Sequence, residues 1–169
     1  MTVLTLEELA KLNPERIPKF TFLMNIELWK KIDTKLKDIL SRPLKIKFDE
    51  NIRNYLTKKR GIYMFIIEPE FPFSPRIDYL IYIGRVIGTN NFKNRFQHYV
   101  KAIGNKNVKR NIQLLTNLWP EKTYVYTFEL NKSDDEIKEI EKQLVNYIIP
   151  PLNNQFSISE AVNSRSLYN

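Results

Sequence analysis

Two short runs of β-branched and aromatic residues, "GIYMFII" at 61–67 and "YLIYIG" at 79–84, flank a stretch that carries Pro69, Pro72 and Pro75. Both runs have the composition of β-strands. Proline lacks an N–H, so the stretch between them cannot extend a hydrogen-bonded ladder and must loop out. The pair therefore reads as an antiparallel hairpin with a long connection at 68–77. Whatever else the chain forms has to cover the two faces of this hairpin.

The remaining elements come from periodicity and punctuation. Thr5 and Glu8 form a capping-box pattern that opens a short helix over 5–12, and Pro14 and Pro18 break it. A second helix over "NIELWKKIDTKLKDIL" has Asn25 as its cap and an apolar stripe of Leu28, Ile32, Leu36, Ile39 and Leu40, and Pro43 ends it. Amphipathic helices are predicted from about 91 to 103 and from about 107 to 118. Residues 122–130 alternate, with Tyr124, Tyr126, Phe128 and Leu130 on one side, as in a half-buried strand. Ser133 caps a last long helix whose first turn is acidic, and Pro150 and Pro151 end it. The predicted fold is α/β of the α+β kind: a small three-stranded antiparallel sheet flanked by helices, in the order β-β-α-α-β-α. An N-terminal helical extension (1–58) precedes the main domain (59–156), and a polar tail (157–169) that frays comes after it.

Charge narrows the function. The chain carries a net charge of +8, and the stretch 79–120 contains no acidic residue. Arg85, Lys93, Arg95, Lys101, Lys106, Lys109 and Arg110 all lie there, and the rest of the chain is close to balanced. So concentrated a field suits a polyanion, most simply nucleic acid, although a basic surface also serves solubility alone. There is no cysteine, which excludes a disulfide scaffold and a thiolate metal site and suits a reducing compartment. No apolar run approaches about 18 residues, and the N-terminus "MTVLTLEELAKL" is acidic and amphipathic, so neither a membrane span nor a signal peptide is expected. These features lead to the expectation of a cytoplasmic protein.

Several residues stand out chemically. On the last helix, at about 100° per residue, Glu141 falls inside the apolar arc of Ile137, Ile140, Leu144 and Ile148. A carboxylate aimed at a core costs several kcal/mol unless it is paired or binds a cation. Glu141 is thus either half of a structural salt bridge or a cation ligand. On the helix after the hairpin, Tyr99 lies within the apolar arc, Arg95 on its edge, and His98, the only histidine, further out. Tyr99 could be core filler and Arg95 a snorkelling edge residue, or the two could look into one site. Along the strands Tyr63 and Tyr82 can share a face with Gly84, whose missing side chain admits a close approach. They could equally be two buried core tyrosines.

Taken together these residues resemble the GIY-YIG nuclease family. The chain has "GIY" at 61–63 and "YIG" at 82–84, then basic Arg85. Arg95 with Tyr99 four residues later matches the arginine of the family's first helix and its tyrosine or histidine partner. Glu141 and Asn153, within "EKQLVNYIIPPLN", match a glutamate on the last helix and an asparagine after proline. The resemblance covers about residues 60–154. The interval between the two motifs is longer than the family's common form and is similar to that of restriction-enzyme members, and His98 is one residue off the usual position.

The resemblance implies a metal-dependent endonuclease that hydrolyses phosphodiester bonds in double-stranded DNA. Glu141 would hold Mg2+ or Mn2+. Arg95 and Arg85 would stabilise transition-state charge. Tyr63 would act as general base or orient water, with nearby arginines and the metal lowering the cost of its phenolate. Tyr82 would position phosphate or water, Tyr99 would take the role next to Arg95, and Asn153 would brace the site or simply end a helix. Arg85, Lys93, Lys101, Lys106, Lys109 and Arg110 would track the DNA backbone. No organic cofactor is expected. A restriction-type enzyme leads; a repair or mobile-element nuclease, an inert nucleic-acid-binding module on the same fold, and a basic protein that binds an acidic partner are the alternatives. Oligomeric state is open, a dimer included.

Overall fold

The computed structural model describes residues 20–23, 25–32, 34–69, 78–105 and 107–166. The helix expected at 5–12, Lys106 and nearly all of the 68–77 insert lie outside the described residues. The elements in chain order are α1 (Ile26–Lys30), α2 (Thr34–Ile39), β1 (Leu44–Lys47), a 3-10 turn (Ile52–Asn54), β2 (Gly61–Ile67), β3 (Tyr79–Val86), α3 (Phe92–Val100), α4 (Arg110–Asn117), β4 (Thr123–Glu129), α5 (Asp134–Ile148) and α6 (Ser159–Ser166). No helix among the described residues is long and apolar enough to cross a membrane.

The sheet has four strands rather than the expected three, in the order β1-β4-β2-β3, and every pairing is antiparallel. The added strand, "LKIK", lies within the stretch read as helical extension. Only Ile46 of β1 is buried, and four residues with two lysines carry too little periodic signal to read. Lys47 pairs with Glu121 (2.6 Å) and Lys45 with Glu68 (2.5 Å) along this edge. Gly61, where β2 begins, has φ +146°, and a Cβ there would collide with the Phe128 carbonyl of the neighbouring strand. Only glycine fits that approach.

Helices cover both faces of the sheet. On one, Tyr63, Phe65 and Val125 pack with Phe92, Phe96 and Tyr99 of α3 and Leu115 of α4. On the other, Ile62, Met64, Ile83 and Phe128 pack with Ile137, Ile140 and Leu144 of α5. The alternation expected of β4 is present: Thr123, Val125 and Thr127 are buried on the α3 face, while Tyr124 and Tyr126 are half-buried on the other. The single helix expected over 25–40 is broken at Lys31 and Ile32. Leu28 joins a small cluster with Leu23, Ile149 and Ala161, whereas Leu36 joins the α5 side. One straight stripe could not serve both.

Both ends of α5 are firmly set. Ser133 and Glu136 close a capping box at its start. At the other end Ile149 takes a left-handed conformation, φ 54°, which is uncommon for a β-branched residue. The two prolines after it then lead the chain back across β3. Residues 157–166 of the polar tail are held there: Asn146 on α5 accepts the Ser157 amide (2.8 Å), and α6 buries Ala161. That pairing of one asparagine with a backbone segment eleven residues on leaves no periodic trace in sequence.

Candidate active site

β2 and β3 pair with Tyr63 opposite Gly84 and Ile62 opposite Arg85. Residues directly opposite share a face. Tyr63 and Gly84 therefore face α3, and Arg85 faces α5. The register shifts between Phe65 and Ile66, where Ile81 is the extra residue on β3.

On the α3 face Tyr63 is the centre of a hydrogen-bonded cluster. Arg95 Nε donates to Tyr63 Oη at 3.0 Å, and Arg95 Nη2 donates to Tyr99 Oη at 3.3 Å. The two phenol oxygens lie 2.9 Å apart, either of them the donor. The helix register predicted for α3 places these groups: Tyr99 is buried, Arg95 half-buried at the rim, and His98 exposed. Phe96 packs edge-on to Tyr63, with centroids 5.2 Å apart. Gly84 lies under the Tyr63 ring, and a Cβ there would overlap the ring carbons and hydroxyl. The space at Gly84, read from sequence as room for a close approach, is filled by Tyr63 itself.

Burial works against the expected easing of Tyr63 toward phenolate by nearby arginines. Tyr63 is wholly buried. Burial pushes its phenol well above the usual tyrosine range, the Tyr99 and Tyr82 oxygens push the same way, and Arg95 pulls back by less. Tyr82, half-buried with its ring 6.2 Å from Tyr63, is pushed up to about 12, by burial first and then by Tyr99. Both are neutral phenols at neutral pH. Tyr63 is thus built to accept from and hold Arg95 rather than to carry a charge.

On the α5 face the carboxylate of Glu141 is paired with the Arg85 guanidinium. Its side chain is 16% exposed and that of Arg85 38%. The apolar arc predicted for α5 does enclose this carboxylate, and its partner is the arginine of the second motif. Asn153 anchors the strand that carries Tyr82 and Arg85. Its Oδ1 accepts the Ile83 amide (2.9 Å) and its Nδ2 donates to the Ile83 carbonyl (2.8 Å), so it pairs with the outer edge of β3 as a further strand residue would. Ile83 stands between Tyr82 and Arg85. The edge strand thus carries Tyr82 and Gly84 toward one cluster and Arg85 toward the other, and Asn153 fixes it.

The basic residues gather mainly on α3, α4 and the turns beside them. Lys101, Lys109 and Arg110 are exposed and Lys93 half-exposed. Asn111, the second residue of α4, donates to the Leu152 carbonyl (3.2 Å), which brings the start of that helix, with Lys109 and Arg110, beside the Asn153 turn and the β3 edge. Sequence reading passed over Lys58, Lys59 and Arg60. Their signal, three consecutive cations directly before a strand, was plain but lay outside the acid-free stretch.

Among the described residues no three His, Cys, Asp or Glu side chains gather to hold a cation. Mg2+ needs no such cage, because it keeps several waters and commonly takes one or two carboxylates together with substrate phosphate. A single, partly exposed carboxylate such as Glu141 fits that donor set once Arg85 yields it. No protein-family model, curated protein or solved structure matches this chain.

Proposed function

We propose that this chain is a metal-dependent endonuclease of the GIY-YIG kind that hydrolyses phosphodiester bonds in double-stranded DNA. The observation that carries the reading is the Tyr63–Arg95–Tyr99 cluster, seated on Gly84 and built beside the edge strand that also presents Arg85 to Glu141. Core packing alone does not call for an arginine held by two buried phenols.

In this reading Arg95 is the anchored cation. Two of its N–H groups are taken by Tyr63 and Tyr99, which fixes the guanidinium plane, and its remaining donors are left for a phosphate oxygen. Tyr82 offers a neutral hydroxyl to the same phosphate or to water. Arg85 moves from Glu141 to the charge that develops on the phosphorus oxygens. Glu141 would hold Mg2+ or Mn2+, which when bound supplies Lewis-acid stabilisation and a more acidic water. Asn153 is a positioning residue that acts through Ile83. Tyr63, buried in the cluster, orients Arg95, and the proton of the attacking water would pass to solvent water.

The Arg85–Glu141 pair favours a second reading as well. If that pair is permanent, the chain is a nucleic-acid-binding module with an inert site. Within the nuclease reading a restriction-type enzyme remains our preference over a repair or mobile-element nuclease, because of the long interval between the motifs. Digestion of genomic DNA with Mg2+, and then sequencing of the new ends, tests both points. One short recurring sequence at the ends supports a restriction enzyme; ends without a common sequence favour the other nucleases; an absence of new ends defeats the proposal.

A further inference from the structure

At the end of the sheet where β2 begins and β3 and β4 finish, an open cavity of about 550 Å3 is lined by Lys58, Lys59, Arg60, the Gly88–Asn91 turn and residues 129–131. We infer that this cavity is a second phosphate subsite, which binds a backbone phosphate of duplex DNA beside the one held at Arg95. The inference rests on the DNA reading above and adds to it residues that lie outside the basic stretch 79–120.

The walls are fixed by the fold. The Phe92 amide donates to the Lys59 carbonyl (3.0 Å) and the Lys93 amide to the Thr57 carbonyl (3.3 Å), which docks segment 57–60 onto the first turn of α3. Arg60 Nη1 donates to Asp134 Oδ1 (2.6 Å), and the same carboxylate accepts the Gly88 amide (3.0 Å). Asp134 therefore neutralises Arg60 and ties the Gly88 turn to the start of α5. It leaves Lys58 and Lys59 as the uncompensated charges: both are exposed, and neither takes part in an ion pair among the described residues. Glu129 is the one carboxylate in the lining, so the cavity keeps a positive balance.

The first amides of α3 are already spent, on Lys59, on Thr57 and on the Asn91 side chain, so the helix terminus is not the anion donor. The donors on offer are the two ammonium groups and the polar side chains of Thr89 and Asn90. Position supports a polyanion over a small ligand. Asn91 precedes Arg95 by one helical turn, roughly 6 Å along the axis, which is on the order of two base-pair steps of duplex at about 3.4 Å each. A cation pair at the cavity and an anchored arginine one turn on suit nearby phosphates of one backbone, about two steps apart.

The test uses the full chain, a mixed-sequence DNA duplex and EDTA to prevent cleavage. Affinity is measured from about 50 to 200 mM salt for the parent, for Lys58→Ser/Lys59→Ser and for a charge-matched control, Lys30→Ser/Lys37→Ser, with melting temperature recorded for each. Loss of the one phosphate contact lowers the slope of log affinity against log salt by about 0.9. The gap between parent and Lys58/Lys59 variant should therefore change about three- to fourfold across that range, while the control keeps the parent slope. An unchanged slope in the Lys58/Lys59 variant, or an equal drop in the control, overturns this subsite and leaves the DNA reading standing. A parent that does not bind the duplex overturns both.

Discussion

Replacing Glu141 by Gln keeps the shape of the side chain and removes its charge, and the structure sets what this should cost. An exposed ion pair is worth at most about 1 kcal/mol, and removing one partner of a fully buried pair costs about 3–5 kcal/mol. Glu141 is 16% exposed, but Arg85 is 38% exposed, so water can take over the guanidinium. The glutamine oxygen can also still accept from it. We expect a loss of about 1 kcal/mol, which lowers the melting temperature of a chain this size by about 2–4 °C. Catalysis should suffer far more. If the carboxylate holds the metal, about 3–4 kcal/mol of transition-state stabilisation disappears and the cleavage rate falls roughly 100- to 1,000-fold. DNA affinity without metal should hold or rise, because a negative charge near phosphate has gone. Plasmid nicking rates over a Mg2+ series, melting curves and metal-free binding are measured on the same preparation. A collapse of the melting temperature, with activity lost only in proportion to unfolded protein, refutes the metal-ligand role. An unchanged nicking rate refutes it equally.

Gly84→Ala should cost about 1–3 kcal/mol by overpacking, since its new methyl lands in the Tyr63 ring; chemical denaturation measures this, and a neutral result would mean that Tyr63 is not locked there. Tyr99→Phe removes the hydroxyl shared with Tyr63 and Arg95, so nicking should slow at least tenfold for about 1 kcal/mol of stability, whereas His98→Ala, at an exposed position, should change stability by less than about 0.5 kcal/mol and leave the rate intact; the reverse pattern would contradict the site. Tyr63 and Tyr82 have folded pKa values above the ordinary tyrosine value of about 10. Their contribution to stability is fully present below about pH 10 and is lost as pH rises through the folded values, for Tyr82 about 12. Denaturation midpoints taken from pH 8 to 11.5 should therefore fall above pH 10, and less steeply in Tyr82→Phe.

Range in the chain separates the features that sequence made legible from those it hid. The β2–β3 hairpin could be read because apolar β-branched runs and prolines are local signals. The inward positions of Tyr99 and Glu141 could be read because a helix maps spacing directly onto direction. The partner of Glu141 could not. It depends on which face of β3 carries Arg85, and so on the register with β2, near an extra residue at Ile81 that no periodicity marks. β1 was missed because its one buried residue, Ile46, makes no pattern by itself. The burial of Tyr63 was hidden for a related reason: composition reveals the arginines near it, but not the ring of Phe96, Tyr99 and Phe65 that excludes water.

The central claim is that Arg95 and Glu141 serve one metal-dependent cleavage site, and its most direct test is nicking of supercoiled plasmid by the purified chain, with Mg2+ and then with EDTA, beside Arg95→Met and Glu141→Gln prepared in the same way. The account predicts relaxed and linear plasmid from the parent with Mg2+, none with EDTA, and a loss of at least 100-fold in each variant. Supercoiled plasmid that survives the parent in both Mg2+ and Mn2+, or nicking that persists equally in both variants, would contradict it.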